Sequence, residues 1–181
     1  MQTVSAPLKK VLITKDEIAK RAKELGEEIS KDYEGKLPLI VCILRGSVLF
    51  YSDIVRNIKT PCNLDFMCMA SYGAKTHSSG KVRTLLDLRE AIEGRHIVLV
   101  EDIVDTGLTI KHILDMFRTR KPASVEVCTL LDKPSNRTTD ITPKYVGFTV
   151  QNEFVVGYGL DYNELYRNLP FIGVFNEDET K

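Results

Sequence analysis

The chain has 181 residues, 43% hydrophobic and 28% charged, which suits one soluble globular domain with a core of its own. Twenty-five basic residues balance 25 acidic ones, so the basic excess expected of a nucleic-acid binder is missing. The longest apolar run, Leu37 to Leu44, includes Pro38 and is too short to span a bilayer. Met1 to Leu12 carries no apolar signal core, and a cytosolic protein without membrane or nucleic-acid partners is expected. Cys42, Cys62, Cys68 and Cys128 show no C-x-x-C spacing and read as free, mostly buried thiols.

Thr14 followed by Glu17 is a capping-box start. Ile18, Ala22, Leu25 and Ile29 then keep helical spacing to about Tyr33, before Gly35 and Pro38. Leu39 to Leu44 reads as a buried strand, Arg45-Gly46-Ser47 as a turn, and Val48 to Ile58 as a helix. Leu64 to Ser71 is a second strand. Tyr72 to Lys81, with Gly73, Ser78, Ser79 and Gly80, reads as a loop. Strands are expected over Val82 to Leu86, Ile97 to Val100, Val125 to Leu131, Tyr145 to Thr149, Phe154 to Val156 and Phe171 to Val174. A helix should run from near Thr109 to Arg120, ended by Pro122. Asn136-Arg137-Thr138 matches a glycosylation acceptor and reads as a chance match.

Apolar strands alternating with helices predict an α/β fold, with a central, mainly parallel sheet flanked by helices. Ligands of such sheets bind beyond the carboxyl ends of the strands. Three ends qualify: Leu44-Arg45-Gly46, Glu101 to Thr109, and Leu131-Asp132-Lys133.

The second is the most informative. A uniformly apolar strand meets Glu101-Asp102, and Asp105-Thr106-Gly107-Leu108-Thr109 leads into a helix. Free amides and the dipole at a helix N-terminus favour an anion, and Thr106 and Thr109 add hydroxyl donors. No Walker A pattern occurs. Carboxylates accept hydrogen bonds, so the neighbouring acids suit a neutral diol. A diol beside a phosphate is what a ribose 5-phosphate presents. Taken singly, these residues also read as surface acids and an ordinary helix cap.

The run Val100 to Thr109 resembles the phosphoribosyl pyrophosphate (PRPP) signature of the type I phosphoribosyltransferases. Leu44-Arg45-Gly46-Ser47, Ala70-Ser71-Tyr72-Gly73, Lys133, and Phe154 to Glu164 resemble the hypoxanthine-guanine members, in matching order and spacing. The resemblance covers about Val11 to Val174. It implies one domain, with a core over about 37–150 and a small hood over about 1–36 and 151–181. It also implies purine salvage: hypoxanthine or guanine plus PRPP give IMP or GMP plus pyrophosphate, with Mg²⁺ as cofactor. A homodimer or homotetramer is expected.

Site roles follow from the same resemblance. Glu101 and Asp102 would meet the ribose hydroxyls, Asp105 the purine proton, and Thr106, Gly107, Leu108 and Thr109 the 5′-phosphate. Arg45, Gly46 and Arg167 would bind pyrophosphate, with a non-proline cis bond between Leu44 and Arg45. Relatives more often carry lysine at Arg45, and several carry it at Leu108. Lys133, Phe154, Val155 and Asp161 would bind the purine. Asp161, with Glu101 and Asp102, would hold the metal. Ser71 and Tyr72 would root a lid over 72–81. Two other readings remain: a PRPP-binding regulator on the same fold, and a xanthine-preferring enzyme.

Overall fold

Burial on both faces of the central strands explains how the sheet is built. The structure is a computed structural model that describes residues 6–72 and 81–176. In β2 (Leu39–Leu44), Ile40 and Cys42 face one hydrophobic cluster while Leu39, Val41 and Ile43 face another. In β5 (His96–Val104), Val98 and Val100 join the first cluster, and Ile97 and Leu99 the second. Strands buried on both faces read as continuous apolar runs, and these do. With β3 (Asn63–Tyr72), β4 (Lys81–Leu86), β6 (Ser124–Asp132) and β7 (Tyr145–Thr149) they form a six-stranded sheet of order β4-β3-β2-β5-β6-β7. Every pairing in it is parallel except that of β3 with β4, so the sheet is mainly parallel, as expected.

Helices cover both faces. Helix α1 (Lys15–Asp32) starts at the capping box, where Thr14 caps the Glu17 amide and the Glu17 carboxylate accepts from the Thr14 amide at 2.8 Å. Its buried stripe of Ile18, Ala22, Leu25 and Ile29 packs with Phe50 and Ile54 of α2 (Val48–Asn57). On the other face, α3 (Leu108–Arg118) buries Ile110, Ile113 and Phe117. These helix ends lie within two residues of the expected ones, the usual fraying at termini.

A second sheet of three strands has the order β1-β9-β8, with β1 (Leu8–Ile13), β8 (Val155–Val156) and β9 (Ile172–Phe175), all antiparallel. Strand β1 was not anticipated. Half of it is exposed, in an unbroken run, and its partner lies some 160 residues away, so no alternation announces it. Among the described residues up to 36, only β1 joins this sheet; α1 packs in the large core.

One difference bears directly on the site. The sequence suggests that β5 stops at Val100, yet it continues to Val104 because β6 goes on pairing with it. Glu101 pairs with Thr129, Ile103 with Leu131 and Val104 with Asp132. Glu101 and Asp102 therefore sit inside the strand end, where backbone pairing overrides side-chain polarity. All four cysteines are free; Cys42 and Cys128 are buried, Cys62 and Cys68 partly so. Among the described residues no helix is long and apolar enough to cross a membrane.

Candidate active site at the carboxyl end of the sheet

Strand β5 hands over to α3 through Asp105-Thr106-Gly107, and the segment Glu101 to Ile110 lines a cavity of about 230 Å³. Gly107 has φ 84° and ψ 0°, a left-handed turn that favours glycine. An added Cβ there would also stand 2.2 Å from the Thr139 hydroxyl. First-turn amides of α3 have no intrahelical acceptor and carry the positive end of the dipole. The turn is therefore built to hold an anion.

The acids beside it are unusually placed. Glu101 is buried, and its Oε2 has no partner among the described residues. Burial, reinforced by the Asp102 charge, holds its carboxyl well above the ordinary range. Loss of hydration pushes Asp102 up to about 6, while its hydrogen bonds to backbone amides and the Arg167 charge pull the other way. The Ile103 amide donates to Asp102 Oδ1 at 2.7 Å. Asp105 Oδ1 is likewise buried and unpartnered among the described residues. Orphaned buried acceptors of this kind call for a ligand.

Two further strand ends close on the same place. The Leu44–Arg45 peptide is cis. Behind it, Gly46 lies against Asp102: a Cβ at Gly46 would stand 1.6 Å from Asp102 Oδ2. Gly159 packs on Gly46 in turn, its missing Cβ 1.9 Å from the Gly46 carbonyl oxygen. The Gly159 carbonyl accepts from Arg167 Nη1 at 2.7 Å. Arg167 Nη2 meets Asp161 Oδ1 at 2.7 Å and Glu164 Oε2 at 3.6 Å. Glu164 Oε1 lies 3.1 Å from Arg45 Nη2. Arg45, Gly46, Asp161 and Arg167 are thus neighbours, with Glu164 between the two guanidinium groups.

Lys133 is buried at the end of β6. Its Nζ donates to the Glu153 carbonyl at 2.6 Å and joins no ion pair among the described residues. The next residue along, Phe154, is 45% exposed, with its ring packed edge-on against Tyr162 and Phe175. Val155 is buried in β8. Ser71 and Tyr72 end β3, and residues 73–80, where most of the lid is expected, lie outside the described residues.

Residues 12–163 match the model of the phosphoribosyl transferase domain. The chain belongs to the phosphoribosyltransferase family. A hypoxanthine-guanine phosphoribosyltransferase of Streptococcus pneumoniae is 52% identical over 171 residues, covering 94% of this chain and 95% of the relative. One from Bacillus subtilis is 49% identical over 167 residues, covering 92% and 93%. The crystal structure of a hypoxanthine phosphoribosyltransferase from Staphylococcus aureus superposes with a TM-score of 0.92 at 47% identity, covering 97% of this chain and 95% of that one.

The sequence reading passed over one buried residue that the structure places against the Asp105 to Gly107 turn. Arg137 has a side chain only 11% exposed, and it reaches the β5 end and Asp132 at once. Its sole local signal was a chance glycosylation pattern. The expected metal triad is not preassembled either: no group of three or more His, Cys, Asp or Glu gathers into a metal site among the described residues. Asp102 is tied to the Ile103 amide and Asp161 to Arg167. The donor set still suits Mg²⁺, which takes one or two carboxylates and completes its shell with water and phosphate oxygens. Asp161 and the orphaned Glu101 Oε2 are such donors.

Proposed function

We propose that this phosphoribosyltransferase moves the 5-phosphoribosyl group of PRPP onto hypoxanthine or guanine, releasing pyrophosphate. The observation that carries the base assignment is Lys133, a buried ammonium without a carboxylate partner among the described residues. A buried cation is costly unless a ligand oxygen joins its shell. The exocyclic oxygen of a 6-oxopurine is such an acceptor, whereas adenine offers an amino donor there. The half-exposed Phe154 ring supplies a surface on which the base stacks, and Val155 would meet the base edge.

Cleaving the C1–oxygen bond of PRPP builds positive charge on the ribose and negative charge on pyrophosphate, as in glycoside cleavage. Arg45, Arg167 and the Gly46 backbone neutralise the leaving group. Glu101 and Asp102 accept from the ribose hydroxyls, and Thr106 to Thr109 hold the 5′-phosphate. Asp105, with its unpartnered Oδ1, receives the purine proton. Mg²⁺, when bound, supplies positive charge at the pyrophosphate oxygens, and Asp161 with Glu101 and Asp102 would hold it. Ser71 and Tyr72 root the lid that keeps water from PRPP. The same reading has the protein work in the cytosol as a homodimer or homotetramer.

The test is a parallel assay with PRPP, Mg²⁺ and adenine, hypoxanthine, guanine or xanthine, following nucleotide formation. IMP and GMP should form and AMP should not. Faster turnover of xanthine would reassign the base. Turnover of none, together with retention of RNA or DNA on a filter, would favour the regulator.

A further inference from the structure

Three successive peptide carbonyls lead into the phosphate turn, and all three face one segment, residues 133–139. The Val104 oxygen accepts from the Lys133 amide at 3.0 Å and from Arg137 Nη2 at 3.1 Å. The Asp105 oxygen accepts from Arg137 Nε at 2.9 Å. The Thr106 oxygen accepts from the Thr138 amide at 3.1 Å and from the Thr138 and Thr139 hydroxyls at 3.3 and 3.2 Å. In a planar trans peptide the N–H points opposite to the C=O. Turning these carbonyls toward 133–139 therefore aims the amides of Asp105, Thr106 and Gly107 away from that segment, and the residues that carry them line a cavity to which 133–139 contribute nothing. Consecutive amides aimed at one point make an anion nest.

Arg137 is central to that segment. Besides the two carbonyls it donates to the Ile141 oxygen and pairs with Asp132, whose side chain is 14% exposed. Asp132 is the register partner of Val104 and the neighbour of Lys133. The Arg137 stem also lies 3.0 Å from where a Cβ on Gly107 would stand. Only a planar fork with five donors serves a carboxylate and carbonyls from several loops together; a lysine is a point charge on a flexible stem.

We propose that Arg137 is a positioning residue for phosphoribosyl transfer. It aims the Thr106 amide at the 5′-phosphate through the Asp105 carbonyl, and it holds the Asp105 carboxyl at a fixed place relative to Lys133. The inference rests on the reading of the site under the proposed function, but its PRPP half stands apart from the choice of base.

The experiment compares wild type with Arg137→Gln and Arg137→Lys, well below their melting midpoints. Arg137→Gln should raise the PRPP KM and the calorimetric PRPP Kd by about tenfold or more, the loss expected when bonds from a charged donor go. It should also lower kcat by a similar factor. Arg137→Lys keeps the Asp132 pairing and should recover less than half of each effect on a logarithmic scale. The shape of the kcat–pH profile should not change, because a guanidinium does not titrate in the working range. An arginine that merely stabilises the fold would lower the melting midpoint and leave Kd and kcat within twofold, which overturns the proposal. Failure of both variants to fold also overturns it. If wild type turns over no purine, the base assignment falls, while PRPP calorimetry on the same three proteins still decides whether Arg137 shapes the cradle.

Discussion

Gly46→Ala tests the packing that holds three site segments together. The new methyl would stand 1.6 Å from Asp102 Oδ2 and 2.7 Å from its Cγ, so one side must move. The Gly46 backbone has little room to retreat, because its carbonyl already lies where a Cβ on Gly159 would be, at 1.9 Å. Asp102 must then rotate, giving up the 2.7 Å bond from the Ile103 amide. Overpacking costs about 1–3 kcal/mol and a lost charge-assisted bond about 1.5–3 kcal/mol, so the sum is about 2.5–6 kcal/mol. For a chain of this size the melting midpoint should fall by about 5–24 °C. Thermal melts followed by circular dichroism measure this, and the PRPP KM should rise alongside. Adding Asp102→Ala removes the obstructing carboxylate, so the double variant should be clearly more stable than the two single effects summed. A melting midpoint within about 2 °C of wild type for Gly46→Ala, with an unchanged PRPP KM, would refute the reasoning.

Asp105→Asn should lower kcat by about 10²–10⁴ while calorimetry still detects PRPP binding; a near-normal kcat removes Asp105 from proton transfer. Lys133→Met keeps the aliphatic stem and deletes the donor. It should raise the hypoxanthine and guanine KM by about tenfold to a hundredfold and leave that of PRPP near wild type, and equal effects on both substrates would sink the purine-reading role. Asp87 receives two bonds from Arg120, at 2.8 and 2.6 Å, and that guanidinium holds its carboxyl below the usual range. A depressed carboxyl contributes stability above its unfolded pKa near 4, and the contribution fades as pH falls through the lower folded value. Asp87→Asn should therefore cost about 0.5 kcal/mol in urea melts at pH 7, as partly exposed pairs do, and progressively less as pH falls below about 4. A pH-independent difference would count against the pairing.

Much of this protein is legible from local sequence because its causes are local. The capping box at Thr14 needs only residues three apart, and α1 to α3 follow from apolar spacing. Strands β2 and β5 announce themselves as unbroken apolar runs because both their faces are covered. The turn at Asp105 to Gly107 is readable because a left-handed residue before a helix favours glycine, and an anion wants small polar neighbours. The acids beside it extended the reading from a phosphate to a ribose phosphate, and the resemblance of that segment to a family signature extended it to PRPP.

Tertiary structure decided what depends on residues far apart in the chain. Strand β1 exists because β9 is there to pair with it, and β5 runs past Glu101 because β6 does. The burial that lifts Glu101 and Asp102, and the glycine contact that seats Gly46 on Asp102, come from loops that meet only when folded. Arg137 is the sharpest case. Its guanidinium reaches carbonyls 32 and 33 residues earlier. Hydrogen bonds over such separations leave no periodicity in sequence, since any exposed arginine would read the same. The sequence by itself determined which chemical groups were present and the order in which they enter the site. The folded chain determined which way the peptides of the turn face, because partners on another loop hold the carbonyls of Val104, Asp105 and Thr106.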